Sequence, residues 1–204
     1  MLESPVSPRK SPRQERSRLT VERILDAAAR IFHEQGYAGA TTNDIADEAE
    51  VSVGSLYQYF PNKDALLVAL TKRHIESTTA GLADLLGGLG SESDFETIVR
   101  TVVDFLVEQH ELDELHLLVM HQAPRTHEIN VELERAKSHL VDLTSHLLES
   151  RVADHRERAL KARMVVSTID ASVHDVILRQ PRGKARRSAV DLTVATALSI
   201  IEST

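Results

Sequence analysis

Small, hydroxylated and aromatic side chains are concentrated in one short run of this sequence, SVGSLYQYF at residues 52–60. The chain has only three Tyr and four Phe, yet Tyr57, Tyr59 and Phe60 fall within four positions. Hydroxyl groups donate hydrogen bonds to phosphate oxygens, and small side chains let a backbone come close to a double helix. These residue types at this spacing predict contacts with nucleic acid.

The run fits a short helix. Ser52 is a suitable N-cap, and Pro61 ends the helix near Phe60 because it disfavours helical backbone in the residue before it. With Leu56 facing the core, Phe60 lies one turn later on the same side. The spacing therefore predicts a helix with one buried stripe and an outer face free for a ligand.

The outer face of this helix is small and uncharged. Gly54, Ser55 and Gln58 point away from the core, and Tyr57 and Tyr59 flank the buried stripe. Such a helix can enter the major groove while the tyrosines donate to phosphates on its walls. The alternative is that both tyrosines are half-buried packing residues of a generic bundle.

Two further helices are predicted before it. One apolar stripe runs over residues 24–32, with Thr20 as its N-cap and Gly36 as its stop. Thr41 and Asp44 form a capping-box pattern that opens a short second helix. Three short helices, with a tight turn between the second and third, describe a helix-turn-helix unit.

Helix entrances and flanking charges offer more phosphate partners. Thr41, Thr42 and Ser52 lie where helices are expected to begin, so their backbone N–H groups are further partners for phosphates. Lys63 adds a positive charge at the rim of the proposed DNA-binding surface. Residues 1–18 hold five basic and two acidic side chains with Pro and Ser, which predicts a disordered basic arm. The arm is either solvated or touches DNA.

The remaining chain is also predicted to be helical, and no period-two pattern indicates a strand. The expected class is therefore all-α. A helix after Asn62 is expected to break at the glycines 81, 87, 88 and 90, and QPRGKARR at 180–187 is a second break. Further helices are expected at 94–110, 112–122, 126–151, 155–179 and 187–202.

The composition of the chain argues against a disulfide-linked or membrane-spanning protein. The chain has no Cys, a net charge of −7 and no apolar stretch long enough to cross a bilayer. We expect a cytoplasmic protein without membrane contact. Residues 1–75 balance ten basic against ten acidic side chains, so the acidic excess lies in the later part of the chain.

The sequence offers little for catalysis or metal binding. It has no G-x-S-x-G elbow, phosphate loop or dinucleotide fingerprint, so we expect no enzyme and no cofactor. Histidines are numerous, and a metal site is a weaker hypothesis on the pair His139 and His146 or on His116 with His121. Without HExxH or Cys, solvated or core histidines are favoured over metal ligands.

The stretch RILDAAARIFHEQGYAGATTNDIADEAEVSVGSLYQYFPNKDALLVAL resembles the DNA-binding domain of the TetR family of bacterial transcriptional regulators. The resemblance covers residues 17–77 in one register. It implies a helix-turn-helix DNA-binding domain at 19–77 and a C-terminal helical domain at 78–204. The family's C-terminal domain binds a small effector and forms a homodimer, usually through its last two helices.

The resemblance also assigns residues by position. It implies that Thr41 and Thr42 contact phosphate, that Asn43 touches a base, and that the leading part of the recognition helix reads sequence. The residues implied to read the DNA sequence are Ser52, Val53, Gly54 and Ser55. Those implied to hold the DNA backbone are Tyr57, Tyr59 and Lys63.

Glu50 departs from the family pattern, which usually has Gly in this turn. If the backbone is left-handed at this position, Glu is less stable there than Gly because of its Cβ. Glu also places a carboxylate near the side that faces DNA. We expect a modest loss of DNA affinity and no change of fold.

Candidates in the C-terminal part rest on the resemblance and on apolar stripes. The expected effector pocket is aliphatic and suits a lipophilic ligand; it comprises Phe105, Leu117, Met120, His121, Leu143, Thr144, Leu147 and Met164. The expected dimer interface, for which internal core is the alternative, comprises Leu160, Val173, Ile177, Val194, Leu198 and Ile201.

These expectations describe a homodimeric repressor that a small lipophilic effector releases from a palindromic, double-stranded operator. The alternative is a helical protein that binds a small molecule or metal, or an enzyme, with no operator.

Overall fold

The computed structural model describes residues 15–89, 93–112 and 126–203. These ranges contain eight α-helices and no strand, which confirms the all-α class. The predicted helix at 112–122 lies almost entirely outside them. The helices are α1 (Glu15–Gly39), α2 (Thr42–Glu48), α3 (Val53–Tyr59), α4 (Lys63–Gly88), α5 (Phe95–Leu112), α6 (His127–Leu147), α7 (His155–Ala171) and α8 (Lys184–Glu202), with a π-helical turn, Ser172–Ile177, directly after α7.

The first helix begins earlier than its sequence pattern suggested. Thr20 does not cap α1 but lies inside it, where its Oγ1 donates to the Arg16 carbonyl at 3.0 Å. The last residues of the predicted arm, 15–18, are therefore helical. Glu and Arg are good helix formers, and Glu15 in the first turn favours the helix dipole. Residues 1–14 of the predicted arm lie outside the described ranges.

Gly36 interrupts α1 as expected of a stop residue. Its backbone is left-handed, with φ of 69° and ψ of 164°, a conformation that glycine adopts without a Cβ clash. One more turn follows before the buried link at Ala40. The apolar stripe of α1 is buried as predicted: Ile24, Leu25, Ala28, Ile31 and Phe32.

The glycines of α4 do not all act as breaks. The helix continues through Gly81 to Gly88. A Cβ on Gly81 would lie 2.8 Å from Cζ of Phe105. Gly81 thus gives room to the Phe105 ring, so its small size reflects packing and not helix termination.

Packing divides the chain into two units, Met1–Glu76 with Asp113–Glu132, and Ser77–Leu112 with Leu133–Thr204. In the first, α2 packs against α1 and α3. In the second, α8 packs against α5 and α7 over an aliphatic core. Fully or nearly buried members of that core include Val103, Leu148, Ala162, Val173, Ile177, Val194 and Ala197.

The end of the second unit differs from the predicted helix at 155–179. After α7 the chain widens into the π-helical turn, in which the Leu178 N–H donates to the Val173 carbonyl at 3.1 Å. The last helix starts at Lys184, within the predicted break, directly after Gly183 with its φ of 113°. No helix within the described ranges has the length and apolar character required to span a membrane.

Candidate nucleic-acid interface

The entrance of α2 is capped by a reciprocal pair. Thr41 Oγ1 accepts from the Asp44 N–H at 3.1 Å and donates to Asp44 Oδ2 at 2.7 Å. The predicted N-cap is confirmed. Thr41 is exposed, so its hydroxyl lies where a phosphate oxygen could approach it.

The entrance of α3 repeats this arrangement with hydroxyls. Ser52 Oγ accepts from the Ser55 N–H at 3.0 Å and lies 2.8 Å from Ser55 Oγ. Ser52 is the predicted N-cap. The last residue of the run, Phe60, leaves the helix with φ of −124°, as expected before Pro61.

A side-chain hydrogen bond joins the two helices of the motif. Thr42 Oγ1 and Tyr57 Oη lie 2.9 Å apart. The turn between the helices is held by the Val51 N–H, which donates to the Ala46 carbonyl at 3.0 Å. The structure therefore brings together two residues that the sequence placed separately as phosphate contacts.

The outer face of α3 is accessible, as the helical register predicted. Leu56 and Phe60 are buried, whereas Tyr57 is 39% exposed and Tyr59 is half-buried. Tyr59 thus fits the alternative of a half-buried packing residue, whereas Tyr57 is exposed. Of the other predicted reading positions, Asn43, Ser52 and Gly54 are exposed, and Val53 and Ser55 are partly exposed.

The turn before α3 has the left-handed residue that the family pattern implied. Glu50 has φ of 53°, a region in which a residue with a Cβ is strained. Its side chain is exposed. The turn thus has the backbone conformation that glycine usually adopts there. Because the residue is Glu, the turn is strained and carries a carboxylate.

Charge on this surface is unfavourable for DNA. Residues 41–60 include four acidic side chains and no Lys or Arg. One of the four, Glu48, pairs with Arg30 of α1 at 2.7 Å. Within this segment the donors available to a phosphate are therefore hydroxyl, side-chain amide and helix N–H groups and not cations.

Lys63, expected as a charge at the rim, is partly exposed and has partners within the protein. Its Nζ donates to the carbonyls of Tyr37 at 2.6 Å and Ala40 at 3.0 Å. The same ammonium lies 4.4 Å from the centre of the Tyr37 ring. The Lys63 ammonium is thus bound by the end of α1 and by the link between α1 and α2.

Sequence reasoning missed the partners of Lys63. The Tyr37 hydroxyl donates to Asp64 Oδ1, and the Tyr37 ring lies 5.5 Å from the Phe32 ring. Burial, and then the adjacent Asp64 carboxylate, raise the pKa of Tyr37 above its ordinary value. More than twenty residues separate Tyr37 from Lys63 and Asp64, so local spacing carries no signal of this cluster.

The structure does not enclose the expected effector pocket within the described residues. Leu143, Leu147 and Met164 are exposed, because the helix faces that carry them are not covered by the core of their unit. Phe105 is half-buried against Gly81, and Thr144 is half-buried. The other three candidates, Leu117, Met120 and His121, lie outside the described ranges.

Most of the expected interface residues belong to the protomer's own core. Val173, Ile177, Val194 and Ile201 are buried there, since the π-helical turn and α8 pack on each other and on α5. Leu198 is partly buried. The four buried positions correct the expected interface, whereas Leu198 keeps some exposure and Leu160 is 57% exposed.

Exposed apolar side chains remain on each of the last two α-helices. Leu160 and Met164 lie four positions apart on one face of α7, and Leu192 of α8 is 67% exposed. Further along α8 is a shallow, open depression lined by Ala195, Leu198, Ser199, Glu202 and Ser203. Met164, expected in the pocket, thus belongs to an exposed face.

Of the histidines considered as metal ligands, the structure describes His139 and His146. His139 and His146 are both exposed, and His146 Nδ1 lies 3.3 Å from Glu149. Among the residues that the structure describes, no group of three His, Asp or Glu side chains is placed to hold a metal ion. His116 and His121 lie outside that part of the chain.

The structure instead shows a polar chain across three helices and the π-helical turn. Nε2 atoms of His110 and His174 lie 3.2 Å apart, and His174 Nδ1 lies 2.9 Å from Asp170 Oδ1. Lys137 Nζ lies 3.5 Å from Asp170 Oδ2. Burial opposes ionisation of Asp170, but His174 and Lys137 together lower its pKa. Asp170 and His174 are four positions apart, but sequence spacing could not reveal that His110 and Lys137 join them.

A family model, described as bacterial regulatory proteins of the tetR family, matches residues 24–70. This range contains α2, α3 and the cluster around Lys63. The transcriptional activator FasR of Mycolicibacterium smegmatis is 26% identical over 91% of this chain and 83% of its own. The transcriptional repressor KstR2 of Rhodococcus jostii is 28% identical over 64% of each chain.

Solved structures share the fold over nearly the whole chain. FadR of Bacillus subtilis, a transcriptional regulator solved in complex with stearoyl-CoA, superposes with a TM-score of 0.64 at 19% identity. The superposition covers 90% of this chain and 98% of that one. The matched DNA-binding domain and the regulators among its relatives lead to one conclusion: the chain belongs to the TetR family of bacterial transcriptional regulators.

Proposed function

We propose that the protein is a homodimeric repressor that binds a palindromic operator and is released by a small lipophilic effector. The observation that carries the proposal is the bond between Thr42 and Tyr57 beside the small, accessible face of α3. It presents two hydroxyls at one edge of the recognition helix. Gly54 and Ser55 leave room there for base edges.

The operator's symmetry follows from the proposed dimer. A two-fold axis relates the recognition helices of two protomers, so each occupies one half-site of a palindrome. The exposed apolar side chains Leu160 and Met164 of α7 and Leu192 of α8 support an interface through these two helices. Replacing Leu192 with Glu should shift the protein toward monomers in sedimentation analysis. Leu143→Glu on α6 is the matched control, since that exposed leucine lies outside the proposed interface.

The lipophilic nature of the effector is supported by the aliphatic second unit and by one neighbour. FadR of Bacillus subtilis was solved with stearoyl-CoA, which makes long-chain acyl compounds the first ligands to test. Helix α4 begins in the first unit and ends in the second. An effector that prefers one conformation of the dimer could act through this helix, with leverage limited to its difference in affinity between two states.

The sign of regulation needs its own measurement, because KstR2 is a repressor and FasR an activator. In vitro transcription from a promoter that carries the bound site answers it directly. A fall in transcript that stearoyl-CoA reverses supports the proposal. A rise in transcript contradicts repression and leaves operator binding intact.

Fluorescence anisotropy on DNA from the protein's own upstream region, against a scrambled duplex across a salt series, tests the operator. Tight, sequence-dependent binding that weakens with salt is expected. If a selection from random duplexes also yields no preferred sequence, the protein has no operator. The alternative would then stand, a helical protein that binds a small molecule or metal, or an enzyme, with no operator. We place the proposed regulator in the cytoplasm, where its DNA partner lies.

A further inference from the structure

The ammonium of Lys63 bridges two parts of the DNA-binding motif. It binds the carbonyl of Tyr37, in the last turn of α1, and that of Ala40, the first residue of the link between α1 and α2. Lys63 itself is the first residue of α4, three positions after the end of α3 is capped by Phe60. One side chain thus ties the entrance of α2 to the exit of α3.

Other contacts hold this ammonium in place. The Tyr37 ring lies 4.4 Å from Nζ, and the Tyr37 hydroxyl is bound by Asp64, the next residue of α4. Carbonyls at a helix C-terminus carry partial negative charge and lack partners within the helix. If Lys63 swung out to a phosphate, the two carbonyls would lose a charged donor beside buried Ala40.

The link that Lys63 fixes leads directly into the phosphate-binding face. Ala40 precedes Thr41, the N-cap of α2, and Thr42 is bonded to Tyr57 of α3. A shift of Ala40 would therefore move both threonines and, through Tyr57, the recognition helix. In a segment without any Lys or Arg between residues 41 and 60, the placement of these neutral donors decides how well they meet the phosphates.

We infer that Lys63 is a positioning residue for DNA binding, which acts through the carbonyls of Tyr37 and Ala40 and not through a phosphate. This rests on the proposed operator binding. A phosphate contact and a positioning contact differ in salt dependence. Losing one phosphate contact reduces the slope of log K against log salt by about 0.9, whereas losing alignment lowers affinity at every salt concentration alike.

The test compares Lys63→Met with Lys63→Arg in the full chain, with the operator duplex and a salt series. Met keeps the length of the side chain and removes its charge. We expect affinity to fall about tenfold at every salt concentration, as for loss of a charge-assisted hydrogen bond, with an unchanged slope. Arg restores the charge but its planar fork does not fit between the two carbonyls, so we expect no rescue.

Lys72→Met is the matched control, because Lys72 lies on the same helix and is more than half exposed beside Glu76. We expect its affinity to stay within about twofold of the wild type, as for an exposed ion pair. The inference is overturned if Lys63→Met lowers the slope by about 0.9 and Arg restores binding. It is equally overturned if Lys63→Met binds like the wild type.

Two measurements test the positioning role of Lys63 independently of the proposed operator binding. Thermal unfolding shows whether each variant is folded at the assay temperature; if Lys63→Met is not, Lys63→Arg alone decides between rescue and none. Amide hydrogen exchange in free protein reports residues 41–44 directly. Faster exchange there in the variant supports positioning even if the wild type binds no operator, and unchanged exchange contradicts it.

Discussion

Thr42 Oγ1 lies 2.9 Å from Tyr57 Oη, and this contact joins the first turn of α2 to the middle of α3. Each hydroxyl has one donor and two acceptor sites. One of the two residues therefore donates to the other, and its partner keeps a proton for a phosphate oxygen. The pair can hold the two helices together and contact the DNA backbone at the same time.

Removal of this contact should weaken DNA binding without changing base preference. Tyr57→Phe retains the ring and loses the hydroxyl, and Thr42→Val retains the branched shape. We expect each to reduce affinity by about 1 kcal/mol, the value of a typical hydrogen bond. Anisotropy on several operator variants should show the same loss on all of them.

The double variant distinguishes a coupled pair from two separate phosphate contacts. If the residues act together, the double loss is smaller than the sum of the single losses by about 0.5 kcal/mol or more. Strict additivity would mean that the bond between them plays no part in DNA binding.

Replacing Glu50 with Gly should stabilise the protein. Relief of left-handed strain at φ of 53° is expected to raise the free energy of unfolding by about 1 kcal/mol. DNA affinity should also increase, because a carboxylate leaves the DNA side. Urea unfolding and anisotropy measure the two effects.

Glu50→Ala separates charge from backbone strain. It removes the carboxylate but keeps the Cβ, so it should improve DNA binding with little gain in stability. Equal stabilisation by Ala and Gly would show that the left-handed backbone is not the cause.

Two glycines of α4 should respond in opposite directions to the same change. Gly81→Ala places a methyl group 2.8 Å from Phe105 Cζ, and this overpacking should destabilise the fold by about 1 kcal/mol or more. Gly87→Ala meets nothing within 4 Å, so better helix propensity should stabilise by up to about 1 kcal/mol. Denaturant unfolding of both variants checks the contrast, and stabilisation by both would refute the close contact with Phe105.

Asp170 should stabilise the second unit in a pH-dependent way. Its pKa is lowered from 3.8 in the folded protein, so the stabilisation is present above that value and is lost as pH falls through the lowered pKa. Asp170→Asn should therefore reduce the free energy of unfolding near pH 7. The side chain is half-exposed, and solvent screening limits the reduction to about 1 kcal/mol.

The check on Asp170 is urea unfolding at neutral pH and at about pH 2, below the ordinary range of carboxyl pKa values. The difference between wild type and variant should be present at the first and largely absent at the second. Asp142→Asn, which changes an exposed carboxylate of α6, should show no comparable difference. A constant effect of Asp170→Asn at both pH values would mean that the carboxylate's charge is not responsible.

Local features of the DNA-binding motif could be read from sequence because they depend on residues within a few positions of each other. The caps at Thr41 and Ser52, the end of α3 before Pro61 and the buried side of Leu56 and Phe60 are all of this kind. The start of α1 was misplaced, since helix propensity in residues 15–18 outweighed the N-cap pattern at Thr20.

Contacts between distant residues were decided only by the tertiary structure. The bond of Thr42 with Tyr57, the capture of Lys63 by Tyr37 and Ala40, and the contact of Gly81 with Phe105 join residues far apart in the chain. The same holds for the apolar stripes of the last helices: a stripe predicts that a face is buried, but not what covers it.

The sequence by itself therefore determined the all-α class, the caps of α2 and α3 and the DNA-binding motif, because these follow from local hydrogen bonding and helical periodicity. Only the tertiary structure decided that Val173 and Val194 belong to the protomer's core while Leu160 stays exposed. It also decided that the ammonium of Lys63 serves the protein's own backbone. The physical reason is that burial and charge pairing depend on which surfaces meet, and no pattern along the chain specifies that.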